Sequence, residues 1–306
     1  MKHSILIAVC TRRRPQMLTR CLDSLMALVP PENAGITILV VENDVQAGMD
    51  KLVNDFSDRS PFQLQYRLET RQGIPFARNC VLDAALAGGL DYLAFLDDDE
   101  WVEPDWLEKL HGYSMEKGGQ AVIHGHVVSE FPEAAPKHLV PLMQRKEKPT
   151  GTRLDSCATN NVILPLAMVR EFNLRFDERN PFAGGEDVLF FFTAHQQGVE
   201  IFECREAVVH EEIPLNRMKL GWLAKRKYWM GIGQLKRDLQ RGEKAWFILP
   251  KALCSLVLRI PLVLLFSALP NRGLFAKHWL KLCKNAGTIG GLLGRESEAY
   301  RTVDGG

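Results

Sequence analysis

Apolar positions over the first 130 residues alternate between two periods. Ser4–Cys10 is a strand-like run that closes on Thr11-Arg12-Arg13-Arg14-Pro15. Gln16–Leu28 then sets Met17, Leu18, Cys21, Leu22 and Leu25 at helical spacing. Ile36–Val41 is a second β-branched run, ended by Glu42-Asn43-Asp44. Gln63–Leu68 predicts a weaker strand, and Ile74–Ala87 a helix stopped by Gly88-Gly89. Tyr92–Leu96 is a third strand, running into Asp97-Asp98-Asp99-Glu100. Pro104 at a first helical turn leads a helix over Asp105–Lys117, and Ala121–Val128 is another strand. Residues 131–153, rich in Pro and Lys, read as a loop over the sheet. Beyond them come a strand over Asp155–Leu164, a helix over Val188–Gln197 and a strand over Glu200–Val209 that ends at His210-Glu211-Glu212.

Strands alternating with helices predict an α/β fold, a Rossmann-like, mostly parallel sheet with helices on both faces. Ligands of such sheets bind beyond the carboxyl ends of the strands. Three of those ends carry polar clusters: Thr11–Arg14, Glu42–Asp44 and Asp97–Glu100. No G-x-G-x-x-G follows the first strand and no Walker lysine loop is present, so the usual dinucleotide and P-loop readings fail.

The net charge of +1 hides an asymmetry: residues 217–306 hold 17 Lys/Arg against 5 Asp/Glu, and residues 1–216 hold 21 against 32. Two parts with different partners are expected, residues 1–215 and residues 216–306. The seven scattered cysteines never form a C-x-x-C, which argues against a disulfide framework and for a reducing compartment. The short first apolar run has its arginines on the wrong side for a signal peptide.

Asp97 and Asp99 are two apart at a strand exit, so their side chains can share a face. Like charges about 4 Å apart repel by ~4 kcal/mol at an effective dielectric near 20, so a cation is expected among them. Hard oxygen donors suit Mg²⁺ or Mn²⁺ bridging to substrate phosphates, while a solvated turn with a helix cap is the plainer alternative. Arg12, Arg13 and Arg14 precede a helix start, an unfavourable place for cations that an anionic ligand would explain. Glu186 and Asp187 open a helix after Gly184-Gly185, where carboxylates serve as caps and where glycines allow a ligand close approach. His210 taken alone is either a satisfied structural histidine or a ligand.

The succession Cys10-Thr11-Arg12-Arg13-Arg14-Pro15, Val41-Glu42-Asn43-Asp44, Ala77-Arg78-Asn79, Leu96-Asp97-Asp98-Asp99-Glu100 and Gly185-Glu186-Asp187 resembles family 2 glycosyltransferases of the GT-A fold. Downstream, Val209-His210-Glu211-Glu212-Ile213-Pro214, Asn216-Arg217 and Trp222-Leu223-Ala224-Lys225-Arg226 are similar to the succinoglycan-type exopolysaccharide glucosyltransferases of that family. The resemblance implies a nucleotide-sugar set of Thr11, Arg14, Glu42, Asp44, Arg78, Asp97 and Asp98. It implies Asp99, Asp97 and His210 around the cation, and Asp187 with Glu186 as the catalytic pair. Asn160, Arg217, Trp222 and Arg226 form the expected acceptor side. Many relatives have Asp where this chain has Glu42.

In the tail, Ala252–Leu258 and Ile260–Leu269 are apolar runs separated by Arg259, each short of the ~20 residues that span a bilayer. Helices lying in the interface on anionic lipid are expected, with a helical subdomain packed on the sheet or on a second subunit as the alternative. No nucleic-acid motif accompanies the basic stripe. The resulting expectation is a metal-dependent, inverting transferase at the cytoplasmic face of the inner membrane, peripheral or monotopic. It moves a hexose, glucose from UDP-glucose, onto a lipid-linked saccharide. A polyprenyl-phosphate glycosyltransferase and a silent nucleotide-sugar scaffold are the alternatives.

Overall fold

The computed structural model describes residues 2–297. Its central strand is β1 (His3–Thr11), whose side chains alternate between two separate apolar clusters, as a strand covered on both faces requires. Ile5, Ile7 and Val9 pack under α1 (Pro15–Met26), α2 (Asp50–Ser57) and α4 (Trp106–Glu116). Leu6 and Ala8 face α3 (Ile74–Ala87), α6 (Leu166–Glu171) and α7 (Glu186–Gln196).

Beside β1 lie β2 (Ala34–Glu42) and β4 (Tyr92–Asp97), both parallel to it, with β3 (Gln63–Leu68) parallel to β2. The sheet continues through β8 (Val162–Pro165), β6 (Val122–Glu130), β9 (Ile201–Glu212) and β5 (Glu100–Val102), and β7 (Arg153–Leu154) pairs with β9. The predicted parallel order holds over β3-β2-β1-β4. The far half is mixed, because β8 enters antiparallel to both β4 and β6. It is reached through the 131–161 segment, which supplies no helix crossover of the kind that parallel neighbours need. The strand expected over Asp155–Leu164 shortens to β8, since Asn161 adopts a left-handed φ of 64°.

Asn161 ties the mixed half together. Its Nδ2 donates to the carbonyls of His126 and Ala207 at 2.8 and 2.9 Å, and its Oδ1 accepts from Trp106 Nε1 at 2.7 Å. All of this is buried. Asn161→Ala is expected to lower stability by about 3–5 kcal/mol in urea unfolding, as it orphans three buried polar groups at a backbone angle that alanine tolerates poorly.

After a 3-10 turn at Leu215–Met218, the chain forms α8 (Leu220–Gln240), α9 (Ala245–Ser267) and α10 (Arg272–Leu292). α8 and α10 cross in backbone contact: a Cβ on Gly287 would sit 1.8 Å from the Tyr228 carbonyl oxygen. The two apolar runs of the tail form one helix, α9, of 23 residues with mean hydropathy 2.0 and 11% of that apolar stretch buried. Arg259, which separates the runs in sequence, lies inside this helix and donates its Nε to Ser255 one turn back at 3.1 Å. α9 is long and apolar enough to cross a membrane. The helices also touch the sheet domain: Leu223, Ala276 and Leu280 bury Leu139, and α5 (Val140–Met143) lies against them.

Candidate active site

The carboxyl ends of β1, β2 and β4 meet at one edge, because the three strands are parallel neighbours in register: Thr11 opposes Glu42, and Cys10 opposes Asp97. At this edge a group of carboxylates is interleaved with arginines. Thr11 Oγ1 donates to Asp98 Oδ2 at 2.7 Å, and Arg14 Nη1 donates to Asp98 Oδ1 at 3.0 Å. Asp99 Oδ2 lies 3.7 Å from both Arg14 Nη1 and Arg217 Nη1, beyond hydrogen-bond range of either. Arg78, buried over the Phe176 ring, pairs with Glu186 and sits 3.9 Å from Asp97.

Desolvation in this cleft, only partly offset by Arg78 and reinforced by Asp99, Asp98 and Asp187, raises the Asp97 carboxyl to about 7. Burial likewise raises Asp98 to about 6 against the pull of Arg14. Glu100 lies beneath them, 2% exposed, accepting from Asn160 Nδ2 at 2.9 Å and from the Asp97 N–H at 3.2 Å. Burial and the nearby Asp97 push it well above the usual carboxylate range.

Asp187 enters from α7. Gly185 caps that helix at φ 86°, a conformation glycine adopts without strain, and this turns the first helical residues toward the cluster. Asp187 Oδ1 accepts the Val188 N–H at 2.7 Å. Burial, opposed by Arg78 and aided by Asp187, raises Glu186. The expected catalytic pair is therefore split: Glu186 is an arginine partner, and Asp187 keeps a carboxylate at the helix start.

Other expected residues are placed differently. Glu42 Oε2 accepts from the Gly48 and Met49 N–H groups, both at 2.9 Å, and from Tyr66 Oη at 2.6 Å. It braces the 43–49 loop, so that oxygen is not offered to a base. Asp44 pairs with Arg13 and accepts from the Val45 N–H at 2.8 Å, and the Arg13 contact holds it low. His210, expected with Asp97 and Asp99 around a cation, makes its contacts elsewhere. Its ring stacks on Trp101, its Nδ1 lies 3.1 Å from Glu130 and its Nε2 3.3 Å from Glu103. β9 pairs with β5 at this point, His210 opposite Trp101, and among the described residues no three His, Cys, Asp or Glu side chains converge as a metal cage. Asn160, 4% exposed and committed to Glu100, supports the cluster from behind. Trp222 lies under Arg217 and Arg226, whose guanidinium carbons are 5.9 and 5.2 Å from its ring centre.

Two residues went unnoticed in the sequence. Arg145 pairs with Glu211 at 2.9 Å and acts on Glu100 and Asp97, although its segment reads only as a covering loop. Arg237 of α8 reaches the Gly185 turn, where its Nη1 would lie 3.1 Å from a Cβ on that glycine, and it faces Asp187. Neither has a local motif to betray it.

A parallel half-sheet whose strand ends gather acidic side chains beside a helix-borne carboxylate is an arrangement for transferring a group from a charged donor. Residues 4–175 match glycosyl transferase family 2, and the chain belongs to that family. It is 35% identical to the succinoglycan biosynthesis protein ExoM of Rhizobium meliloti, over 96% of this chain and 94% of that one. It is 24% identical to the glucosyl-dolichyl phosphate glucuronosyltransferase of Haloferax volcanii, over 78% of each. In fold it is similar to S. aureus TarS 1-349, with TM-score 0.55 at 15% identity over 95% of this chain and 92% of that one. A structure of the same TarS fragment in complex with UDP has TM-score 0.53 at 14% identity, over 99% and 95%.

Proposed function

We propose that this glycosyltransferase moves glucose from UDP-glucose, with inversion, onto a lipid-diphosphate-linked saccharide during exopolysaccharide assembly. The observation that carries the reading is the group of carboxylates interleaved with Arg14 and Arg78 at the end of β4, with Asp187 next to the Arg78 partner Glu186 at the start of α7. The similarity to ExoM over nearly the whole chain supports the pathway class, and the UDP complex of TarS supports the donor class. The Nε atoms of Arg12 and Arg217 are buried with no hydrogen-bond partner among the described residues. Unmet donors of this kind suit a diphosphate.

Asp99 and Asp97 offer the oxygen donors that Mg²⁺ or Mn²⁺ prefers. The Asp97 side chain is 46% exposed, and Asp99 Oδ2 lies outside the hydrogen-bond range of its two arginines. The ion, when bound, supplies charge stabilisation to the departing diphosphate. The chain's own residues do the rest. Arg14 and Arg217 hold the donor's phosphates, Thr11 and Asp98 position its ribose, and Arg78 holds Glu186 in place. Asp187 takes the proton of the acceptor hydroxyl as that oxygen attacks the anomeric carbon, and the bond to the diphosphate breaks on the opposite face. An α-linked donor thus gives a β-glycoside.

Residues 1–215 form the transferase domain in this reading, and residues 216–306 hold it against the cytoplasmic leaflet, with Trp222 and Arg226 toward the acceptor. The exposed apolar side of α9, with Trp246, Phe247, Val257 and Leu264, supports this placement. The test is UDP release from UDP-hexoses with membrane-extracted lipid-linked acceptors, followed by linkage analysis. Release is expected with Mg²⁺ or Mn²⁺ and is expected to fall by at least about 100-fold in excess chelator. Undiminished release would remove the metal from the proposal.

A further inference from the structure

The turn that delivers Asp187, residues 183–186, is held from the far end of the chain. Ser297, which follows α10 and is buried, donates its Oγ to the Ala183 carbonyl at 2.9 Å. Arg237 of α8 lays its guanidinium against the same turn. A Cβ on Gly185 would lie 3.1 Å from its Nη1, and a Cβ on Gly233, one turn back in α8, 3.4 Å from it. Its Nη2 donates to Gln234 Oε1 at 3.1 Å, which fixes the direction of the side chain. Lys236 lies 3.7 Å from Asp177, on the segment that leads into the turn. Just past α8, Arg241 pairs with Asp155 at 2.8 Å and covers the Phe192 ring of α7, 4.7 Å from its centre. Positions 233, 237 and 241 recur at helical spacing, so one face of α8 lies along the turn and along α7.

The two holds on the turn belong to one unit. α8 and α10 meet backbone to backbone, for a Cβ on Gly231 would lie 2.0 Å from the Lys284 carbonyl oxygen. Thr288 Oγ1 donates to the Gly231 carbonyl at 3.3 Å across the same contact. Beyond α10, Arg295 Nη1 donates to Tyr228 Oη of α8 at 3.4 Å, which ties the segment leading to Ser297 to the helix that carries Arg237. The turn has little stiffness of its own. Gly184 and Gly185 sit at φ 75° and 86°, in a region glycine enters and leaves at small cost. Glycine at the cap position also supplies no side-chain oxygen to the free N–H groups that open α7. Contacts from outside the turn therefore decide where Asp187 points.

We propose that Arg237 and Ser297 are positioning residues for the transfer step: the helical tail clamps the 183–186 turn and so fixes the Asp187 carboxylate against the acceptor hydroxyl. The proposal rests on Asp187 being the base, and it gives the tail a part in the chemistry besides its place at the membrane. It is tested in the full-length protein with UDP-glucose and membrane-extracted lipid-linked saccharides. Initial rates give kcat, and calorimetry with UDP measures the donor site separately.

Arg237→Gln is expected to lower kcat about tenfold and Ser297→Ala about threefold, with UDP affinity unchanged in both. The same substitutions are then made together with Asp187→Asn. A residue that acts through Asp187 has nothing left to position there, so the residual rate of Asp187→Asn should stay the same. Losses of tenfold and threefold that persist in that background mean that the tail lends only general stability, and they overturn the proposal. Wild-type kcat in both single variants overturns it too, and if Asp187→Asn is inactive beside them the base assignment still stands. Should Arg237→Gln not fold, Ser297→Ala, which removes one hydroxyl outside the helices, carries the same expectation. Full activity of Asp187→Asn sinks the base assignment, and this role with it.

Discussion

Asp187→Asn is expected to lower sugar transfer by about 10²–10⁴-fold while leaving UDP-hexose affinity unchanged. The size follows from the loss of a general base, and the selectivity from geometry. An asparagine in the same rotamer keeps an oxygen for the Val188 N–H, now 2.7 Å from Oδ1, so the start of α7 is preserved. Glu186 cannot take over, because its carboxylate is held by Arg78 in a buried pair. Arg237, which faces Asp187, retains Gln234 as a partner at 3.1 Å and leaves the turn intact. Initial rates with a lipid-linked saccharide and a separate donor titration measure the two quantities. Full activity in the variant would remove Asp187 as the base. It would favour a phosphate acceptor, which needs no deprotonation.

Arg78→Met is expected to destabilise the protein by about 3–5 kcal/mol, the usual cost of removing one member of a buried ion pair. Arg78 is 8% exposed and pairs with the buried Glu186, whose carboxyl is already raised by burial while the arginine is present. Without it that carboxyl rises further. A carboxyl whose folded pKa exceeds its unfolded value binds a proton more tightly in the native state, so stability falls as pH climbs through that window. The deficit of the variant should therefore be smallest near pH 5 and largest near pH 8, as about 3–5 kcal/mol is the cost of leaving the carboxylate charged. Urea unfolding of both proteins at several pH values checks this. A deficit independent of pH would mean that Arg78 contributes packing on Phe176 rather than charge.

The sheet and its helices were legible because their apolar periods are strong and local. β1, β2, β4, α1, α3 and α4 lie where the alternation of periods puts them, within a residue or two. α2 and α6, of eight and six residues, escaped because so few apolar positions define no period. The antiparallel entry of β8 escaped as well, since strand direction depends on the path of a long connection and not on the strand's own residues.

The polar strand ends of this protein, their order along the chain and the contrast between an acidic front and a basic tail were all determined by the amino-acid sequence alone. These are local patterns, and local patterns survive without a fold. Only the tertiary structure decided which charges meet. It brought Arg217 from beyond β9 to Asp99, Arg145 from a surface segment to Glu100, and Arg237 from α8 to the turn before Asp187. It also kept His210 with Glu103 and Glu130. Charges act through space over a few ångströms, and residues far apart in sequence become neighbours only when the core packs.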